Sequence, residues 1–186
     1  MKLSILICTL PERNEFLERL IDKFLSNPIQ LKYNSYVEFL KDNNSIMTTG
    51  AKRNRLLQKA TGDYVCFFDD DDMPSDTYLK HIFEGIAKGA DCCSLRGLMT
   101  TNGENPELFE HSIRYNEWKT TQNEIKYERY PNHLNCIKAN IAKQFLFPDI
   151  TIGEDHRWSK AVYESGLIKT EHYIDEVIYH YQYRTK

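Results

Sequence analysis

Leu3 to Thr9 is an unbroken β-favouring run, the pattern of a strand buried on both faces. The next apolar positions, Phe16, Leu17, Leu20, Ile21, Phe24 and Leu25, recur at helical spacing up to Asn27-Pro28, where a helix must stop. Tyr36 to Lys41 predicts a second strand. Thr49 is placed to cap a helix carrying Leu56, Leu57 and Ala60, which ends at Gly62. Tyr64 to Phe68 predicts a third strand, and Ser75 is placed to cap a helix with Leu79, Ile82, Phe83 and Ile86 on its apolar face, closing at Gly89. Strands alternating with helices at this spacing predict βαβ units and an α/β fold with a mostly parallel sheet covered by helices.

The pattern loosens afterwards. An apolar run spans Ala90 to Met99, and the polar, aromatic-dotted stretch from Thr100 to Tyr130 reads as loops and short elements. A short strand is expected around His133 to Ile137, helices around Ala139 to Phe145 and from Glu154 to Ser165, and strands near Lys169 to Ile174 and Val177 to Tyr183. No repeat or linker interrupts the chain, so one domain over 1–186 is expected, with a nucleotide half at 1–99 and an acceptor half at 100–186.

Composition narrows the classes. The net charge is -3 with scattered Lys and Arg, which argues against a nucleic-acid partner. Apolar runs such as Leu3 to Cys8 fall short of the ~20 residues of a membrane span, and no signal peptide precedes Pro11, so a cytoplasmic location is expected. The cysteines Cys8, Cys66, Cys92, Cys93 and Cys136 form no C-x-x-C pair and lie in apolar stretches, which fits buried free thiols in a reducing compartment better than zinc ligands.

The chemistry concentrates where strands end. In open α/β sheets ligands bind beyond the carboxyl ends of the strands, which here singles out Thr9 to Arg13, Asp42 to Asn44 and Asp69 to Asp72. Four successive carboxylates, Asp69, Asp70, Asp71 and Asp72, at the mouth of a buried strand repel one another, and a bound cation relieves that repulsion. Oxygen-only ligands suit Mg2+ or Mn2+ bridging to phosphate oxygens. The alternative is a solvated acidic turn ahead of the helix after Pro74. An EF-hand is excluded by Pro74 and Lys80 where Gly and Glu are required, and neither a P-loop nor a glycine-rich dinucleotide fingerprint is present.

Three linked segments, Gly50-Ala51-Lys52-Arg53-Asn54, Ala60-Thr61-Gly62-Asp63-Tyr64 and Phe68-Asp69-Asp70-Asp71-Asp72, resemble the nucleotide half of the inverting family-two glycosyltransferases of GT-A fold. Ser4 to Thr9 occupies the place of that family's first strand, and Gly153-Glu154-Asp155 looks like its Glu-Asp catalytic motif. The resemblance implies a three-layer α/β/α sandwich and transfer of a hexose-type sugar, with inversion, from a nucleotide-diphosphate sugar, best a UDP-sugar, to a glycan or other hydroxyl acceptor. It implies Asp69 and Asp71 as the D-x-D metal pair for Mn2+ or Mg2+, and Thr9, Pro11, Arg13, Asp42, Arg53, Asp69 and Asp70 around the nucleotide. Asp42 would accept the uracil imide N–H, and Thr9 would meet the base through its backbone. Two departures stand out: Asp42 is followed by Asn43-Asn44-Ser45 where the family has Asp-Gly-Ser, and the first strand ends in Leu10-Pro11 rather than Tyr-Asn.

Glu154 and Asp155 open a helix, where acidic residues are favoured by the dipole whatever the function. Beside a metal-phosphate site, however, such a carboxylate is the group needed to deprotonate an acceptor hydroxyl, and Asp155 is expected to be that base, with Glu154 next. Asp42 could instead begin an Asx turn, and Arg53 could be a solvated helix residue. His133 and His180 are read first as structural histidines and second as metal or phosphate contacts. The rival readings are a sugar-phosphate nucleotidylyltransferase and a non-catalytic nucleotide-sugar or glycan binding module.

Overall fold

The computed structural model describes residues 1–185. Strand β1, Leu3–Cys8, is buried on both faces as its composition demands. Leu3, Ile5 and Ile7 enter one apolar cluster, and Leu6 enters another on the opposite face. Strand β2, Val37–Asp42, and strand β3, Tyr64–Phe67, lie parallel to β1 on either side. The alternation repeats in β3, where Tyr64 and Cys66 face the first cluster and Val65 and Phe67 the second.

Helices complete two outer layers. On one face lie α1, Asn14–Ser26, contributing Leu17, Leu20 and Phe24, and α4, Tyr78–Ala87, contributing Leu79, Ile82 and Ile86. Between them runs the short α2, Pro28–Leu31, whose first N–H groups at Ile29 and Gln30 donate to the Asn27 side chain at 2.8 and 3.3 Å. On the other face lie α3, Thr49–Lys59, the short α5, Ala139–Ala142, and α6, Glu154–Ser165, which bring Leu56, Leu57, Ile141, Trp158 and Val162. The three-layer α/β arrangement expected from the sequence is therefore present.

Two caps differ from expectation by local chemistry. Helix α3 is capped by Thr48, whose Oγ1 accepts the Ala51 N–H at 3.1 Å, with Thr49 inside the first turn. Ser75 does not cap α4: its hydroxyl accepts the Thr77 N–H at 3.3 Å in a side-chain turn, and the helix begins three residues later. The stop at Gly89 is as expected, with φ of +69°.

The first sheet is completed by β5, Cys92–Cys93, β10, Ile137–Lys138, and β11, Glu171–His172, in the order β11-β5-β10-β3-β1-β2. Only β10 runs antiparallel to its neighbours. It is shorter than the His133 to Ile137 strand expected, and His133 and Leu134 precede it in a turn.

The main correction concerns 100–130. This stretch is not mainly loop: it supplies three strands of a second six-stranded sheet, β7, Glu104–His111, β8, Lys119–Thr120, and β9, Ile125–Arg129, beside β6, Leu95–Thr101, which comes mainly from the apolar run before it. The sheet is closed by β12, Val177–Tyr183, and by β4, Met73–Pro74, in the order β4-β12-β6-β7-β9-β8. The chain passes from one sheet to the other at Ser94, whose buried hydroxyl accepts the Ile174 N–H at 2.7 Å. Leu95, Phe109, Ile178 and Tyr179 of the second sheet pack into the same cluster as Leu3 and Ile5, so one core runs under both sheets. Among the described residues no helix is long and apolar enough to cross a membrane.

Candidate active site

The four aspartates after β3 have four different environments. Asp70 is buried and fully engaged: Thr9 Oγ1 donates to it at 2.5 Å, and Arg13 reaches it through Nε at 3.0 Å and Nη2 at 2.5 Å. Pro11 is exposed and opens the single turn Pro11–Arg13, which aims the Arg13 side chain back at the acidic loop. Asp72 has no exposed surface; Tyr179 donates its hydroxyl at 2.7 Å and Gln182 its N–H at 2.8 Å. Burial, with the nearby charge of Asp69, pushes the Asp72 carboxyl well above the usual range.

Asp69 and Asp71 remain partly open, at 34% and 21% side-chain exposure. Arg13 Nη2 lies 2.9 Å from Asp71 Oδ2 and holds it beside Asp70. Burial raises the Asp69 carboxyl, and the charges of Asp71, Asp155 and Asp70 add to the rise against the opposing pull of Arg53. No cluster of three or more potential metal ligands exists among the described residues. A divalent ion held by one or two carboxylates and completed by substrate phosphates needs no such cage, and the excess negative charge converging on Asp69 suits it. Asp69, which is partly open, and Asp71, which is paired with Arg13, are the residues that would hold such an ion.

Arg53 is not a solvated helix residue. Its side chain is 5% exposed and spans the site, with Nε 3.2 Å from Glu154 Oε1 and Nη2 3.4 Å from Asp69 Oδ1. It lies over the ring of Phe67 at 4.9 Å and over Phe147 at 5.7 Å. Glu154, buried at the start of α6, is thereby spoken for by Arg53, while burial raises its carboxyl despite that partner. Asp155, the next residue, is turned outward, with 30% of its side chain exposed and Oδ2 4.0 Å from His133 Nδ1. Gly153, at φ of +80°, supplies the left-handed turn that swings the chain into α6 and presents the two carboxylates in different directions.

Several of these residues border two hollows. A cleft of about 520 Å³ is bordered by Thr9, Arg13, Met47, Lys52, Arg53 and Asp69. Its floor is fixed by Lys52, whose buried Nζ donates to the Thr9 carbonyl at 2.9 Å. A smaller cavity of about 90 Å³ lies between the sheets, with Asp155, His133, His111, Arg129 and Tyr181 in its wall. Asp69 borders both. A third hollow of about 490 Å³, between α1 and β2, is walled by apolar residues such as Leu17, Leu25 and Phe39 and shares none of these carboxylates.

Five of the candidates, Pro11, Asp42, Asp71, Glu154 and His180, border neither hollow. Asp42 does not border the cleft: Arg55 grips its carboxylate through Nε at 2.5 Å and Nη2 at 2.6 Å, and the Asn44 N–H donates at 3.1 Å. Desolvation works against its charge, but these bonds outweigh it and hold the carboxyl below its ordinary value. The Asn44 bond is the Asx turn weighed from the sequence. His180 pairs with Met73 across β12 and β4 and borders neither hollow. Lys52, His111 and Arg129 were missed by sequence reasoning. Lys52 stands inside the Gly50 to Asn54 motif and could have been found; His111 and Arg129 lie on strands of the unforeseen second sheet.

A parallel sheet with an acidic loop beyond its third strand, and a second sheet walling the far side of the cleft, define a GT-A fold. The sequence model described as Glycosyl transferase family 2 matches residues 39–150, more than half of the chain. The chain belongs to that family. Among solved structures it is similar to S. aureus TarS 1–349 in complex with UDP, with a TM-score of 0.69 and 16% identity over 98% of this chain and 60% of that one. The complex of the same protein with UDP-GlcNAc gives a TM-score of 0.69 and 17% identity over 100% of this chain and 60% of that one. The chain therefore spans about 60% of the length of TarS 1–349, and at this identity the likeness shows the fold. No curated protein sequence matches it.

Proposed function

We propose that the protein transfers a hexose-type sugar from a uridine diphosphate donor to the hydroxyl of a glycan or other acceptor, with inversion at the anomeric carbon. The observation that carries this reading is the position of Asp69, shared by the wide cleft and by the cavity that Asp155 enters. A nucleotide diphosphate in the cleft would bring its leaving oxygen to Asp69, with the sugar between that carboxylate and Asp155. Solved complexes of TarS with UDP and UDP-GlcNAc support a uridine nucleotide for a cleft of this fold.

Asp155 is the base because it is partly exposed, at 30%, and pairs with no Lys or Arg, whereas Glu154 is buried on Arg53. Its carboxylate takes the proton of the acceptor hydroxyl, whose oxygen then forms a bond to the anomeric carbon. The bond from that carbon to the diphosphate oxygen breaks, and its electron pair leaves with the diphosphate. Arg53 holds Glu154 and Asp69 in fixed relation, and Arg13 orders Asp70 and Asp71. Mn2+ or Mg2+ held by Asp69 and Asp71 would neutralise charge on the diphosphate. A nucleotidylyltransferase would need a glycine-rich phosphate loop after β1, where Leu10-Pro11-Glu12-Arg13 stands instead.

The test is release of UDP from UDP-sugars with Mn2+ and with chelator, on the parent and on Asp155→Asn. Loss of a positioned base lowers turnover ~100-fold to 10,000-fold, with UDP affinity unchanged. Turnover of the Asn variant within about threefold of the parent would remove Asp155 as the base. Binding of nucleotide sugars without any turnover would leave a binding module.

A further inference from the structure

The cavity between the sheets holds polar atoms that the fold does not satisfy. His133 is 5% exposed, and neither Nδ1 nor Nε2 has a hydrogen-bond partner among the described residues. His111, across the same cavity, leaves its buried Nδ1 equally unpaired. Two bare nitrogens on one buried ring are unusual, because burying a polar group without a partner is costly. The cost is not incidental to a loose segment. The His133 carbonyl accepts the Phe67 N–H at 2.8 Å, which ties its backbone to the end of β3, and its ring packs against Phe67 at 6.0 Å.

The chemistry of the cavity selects its ligand. Burial, reinforced by Arg53, His111 and Arg129, drives the His133 ring well below its ordinary value, so it is neutral and offers one donor and one acceptor. His111 is neutral for the same reason, at about 3. The rings of Phe109, Tyr127 and Tyr181 supply apolar wall. Arg129 is the cation of the wall, Asp69 and Asp155 its carboxylates, and neutral imidazoles beside aromatic rings in so mixed a lining suit a polyhydroxyl group.

We infer that His133 is a specificity-determining residue that hydrogen-bonds a hydroxyl of the donor's neutral sugar, and so sets which sugar the cleft accepts. This rests on the donor reading above. His133 touches the sugar and not the nucleotide: it borders the small cavity and is absent from the wall of the wide cleft. Its Nδ1 lies on the side of Asp155, at 4.0 Å, so the sugar carbon it positions is held near the base.

The experiment measures, by calorimetry with Mn2+, the affinities of UDP, UDP-glucose, UDP-galactose and UDP-N-acetylglucosamine for the parent, His133→Leu and His133→Gln. Leu removes both nitrogens at similar volume, and the ratio of sugar-nucleotide to UDP affinity falls about three- to tenfold for the best-bound sugar. UDP itself stays within twofold. Gln keeps a donor and an acceptor but moves them, and it reorders the ranking of the three sugars; should the Leu variant fail to fold, this ranking decides. Ratios and ranking unchanged within twofold overturn the assignment. A parent that binds no UDP overturns the donor reading itself, an outcome distinguishable from the first because His133 is absent from the wall of the wide cleft.

Discussion

Replacing Arg53 by Met tests how the site is held together. The substitution keeps the apolar stem of the side chain but deletes the charge that faces Glu154 at 3.2 Å and Asp69 at 3.4 Å. Arg53 and Glu154 are 5% and 6% exposed, so their pairing is hardly screened and its loss strands a buried carboxylate. Breaking a buried pair from one side costs about 3–5 kcal/mol. Asp69, at 34% exposure, adds little because water reaches it. For a chain of this length that loss lowers the melting temperature by roughly 6–20 °C. The stranded Glu154 can escape by taking a proton. Its carboxyl is already raised in the parent by burial, and without Arg53 it rises further. A raised carboxyl contributes most below its unfolded value and loses that contribution as pH climbs through the folded one, so the deficit of Arg53→Met grows from pH 5 to pH 8. Urea denaturation at both pH values, on Arg53→Met, Glu154→Gln and the double variant, reads the effect. The double variant is expected to recover much of the loss. A deficit below about 1 kcal/mol at pH 8 would refute the reasoning, since a broken buried pair costs several times that. So would a deficit equal at both pH values and undiminished when Glu154→Gln is added.

Three other outcomes follow from the same geometry. Asp42→Ala weakens UDP binding by ~1.5–3 kcal/mol if Asp42 leaves Arg55 to meet the uracil imide, while Arg55→Ala frees the carboxylate and tightens it; calorimetry showing both unchanged leaves Asp42 a turn residue. Asp72→Asn removes a buried charge whose carboxyl is raised, so thermal melts should show a gain on the order of 1 kcal/mol that is larger at pH 8 than at pH 5, with a uniform loss counting against it. Gly50→Ala places a methyl carbon 1.9 Å from the Pro148 carbonyl oxygen, where α3 meets the loop before α6, and should destabilise by about 1–3 kcal/mol in chemical denaturation.

The first sheet was legible because its central strands β1 and β3 are buried on both faces and read as continuous β-favouring runs, as in Leu3 to Ile7. In the second sheet β12 is the expected strand Val177 to Tyr183, but β7 and β9 were not legible, since β7 begins with three exposed residues and β9 has none fully buried. One signal was overlooked: Asn102-Gly103, with φ of 53° and 85°, is a two-residue hairpin turn joining β6 to β7. The acidic run was visible, but its division into Asp70 and Asp72, locked, and Asp69 and Asp71, open, depends on Thr9, Arg13 and Tyr179 arriving from distant parts of the chain. The sequence favours Asp155 over Glu154 as the base, but the buried pairing of Glu154 with Arg53 that sets the two apart is not visible in it.

The bond from Tyr179 to Asp72 joins residues 107 positions apart, and His180 pairs with Met73 directly behind the acidic loop. Contacts of such long range form late, after the loop-closure entropy has been met by other structure. During synthesis the acidic loop therefore emerges long before the strand that anchors it. Until Val177–Tyr183 docks, Asp72 is free to stay in water, and the carboxylates have no reason to adopt their separate roles. The order of events on the ribosome thus makes the acidic loop among the last parts of the molecule to become ordered, well after the sheet beneath it can form.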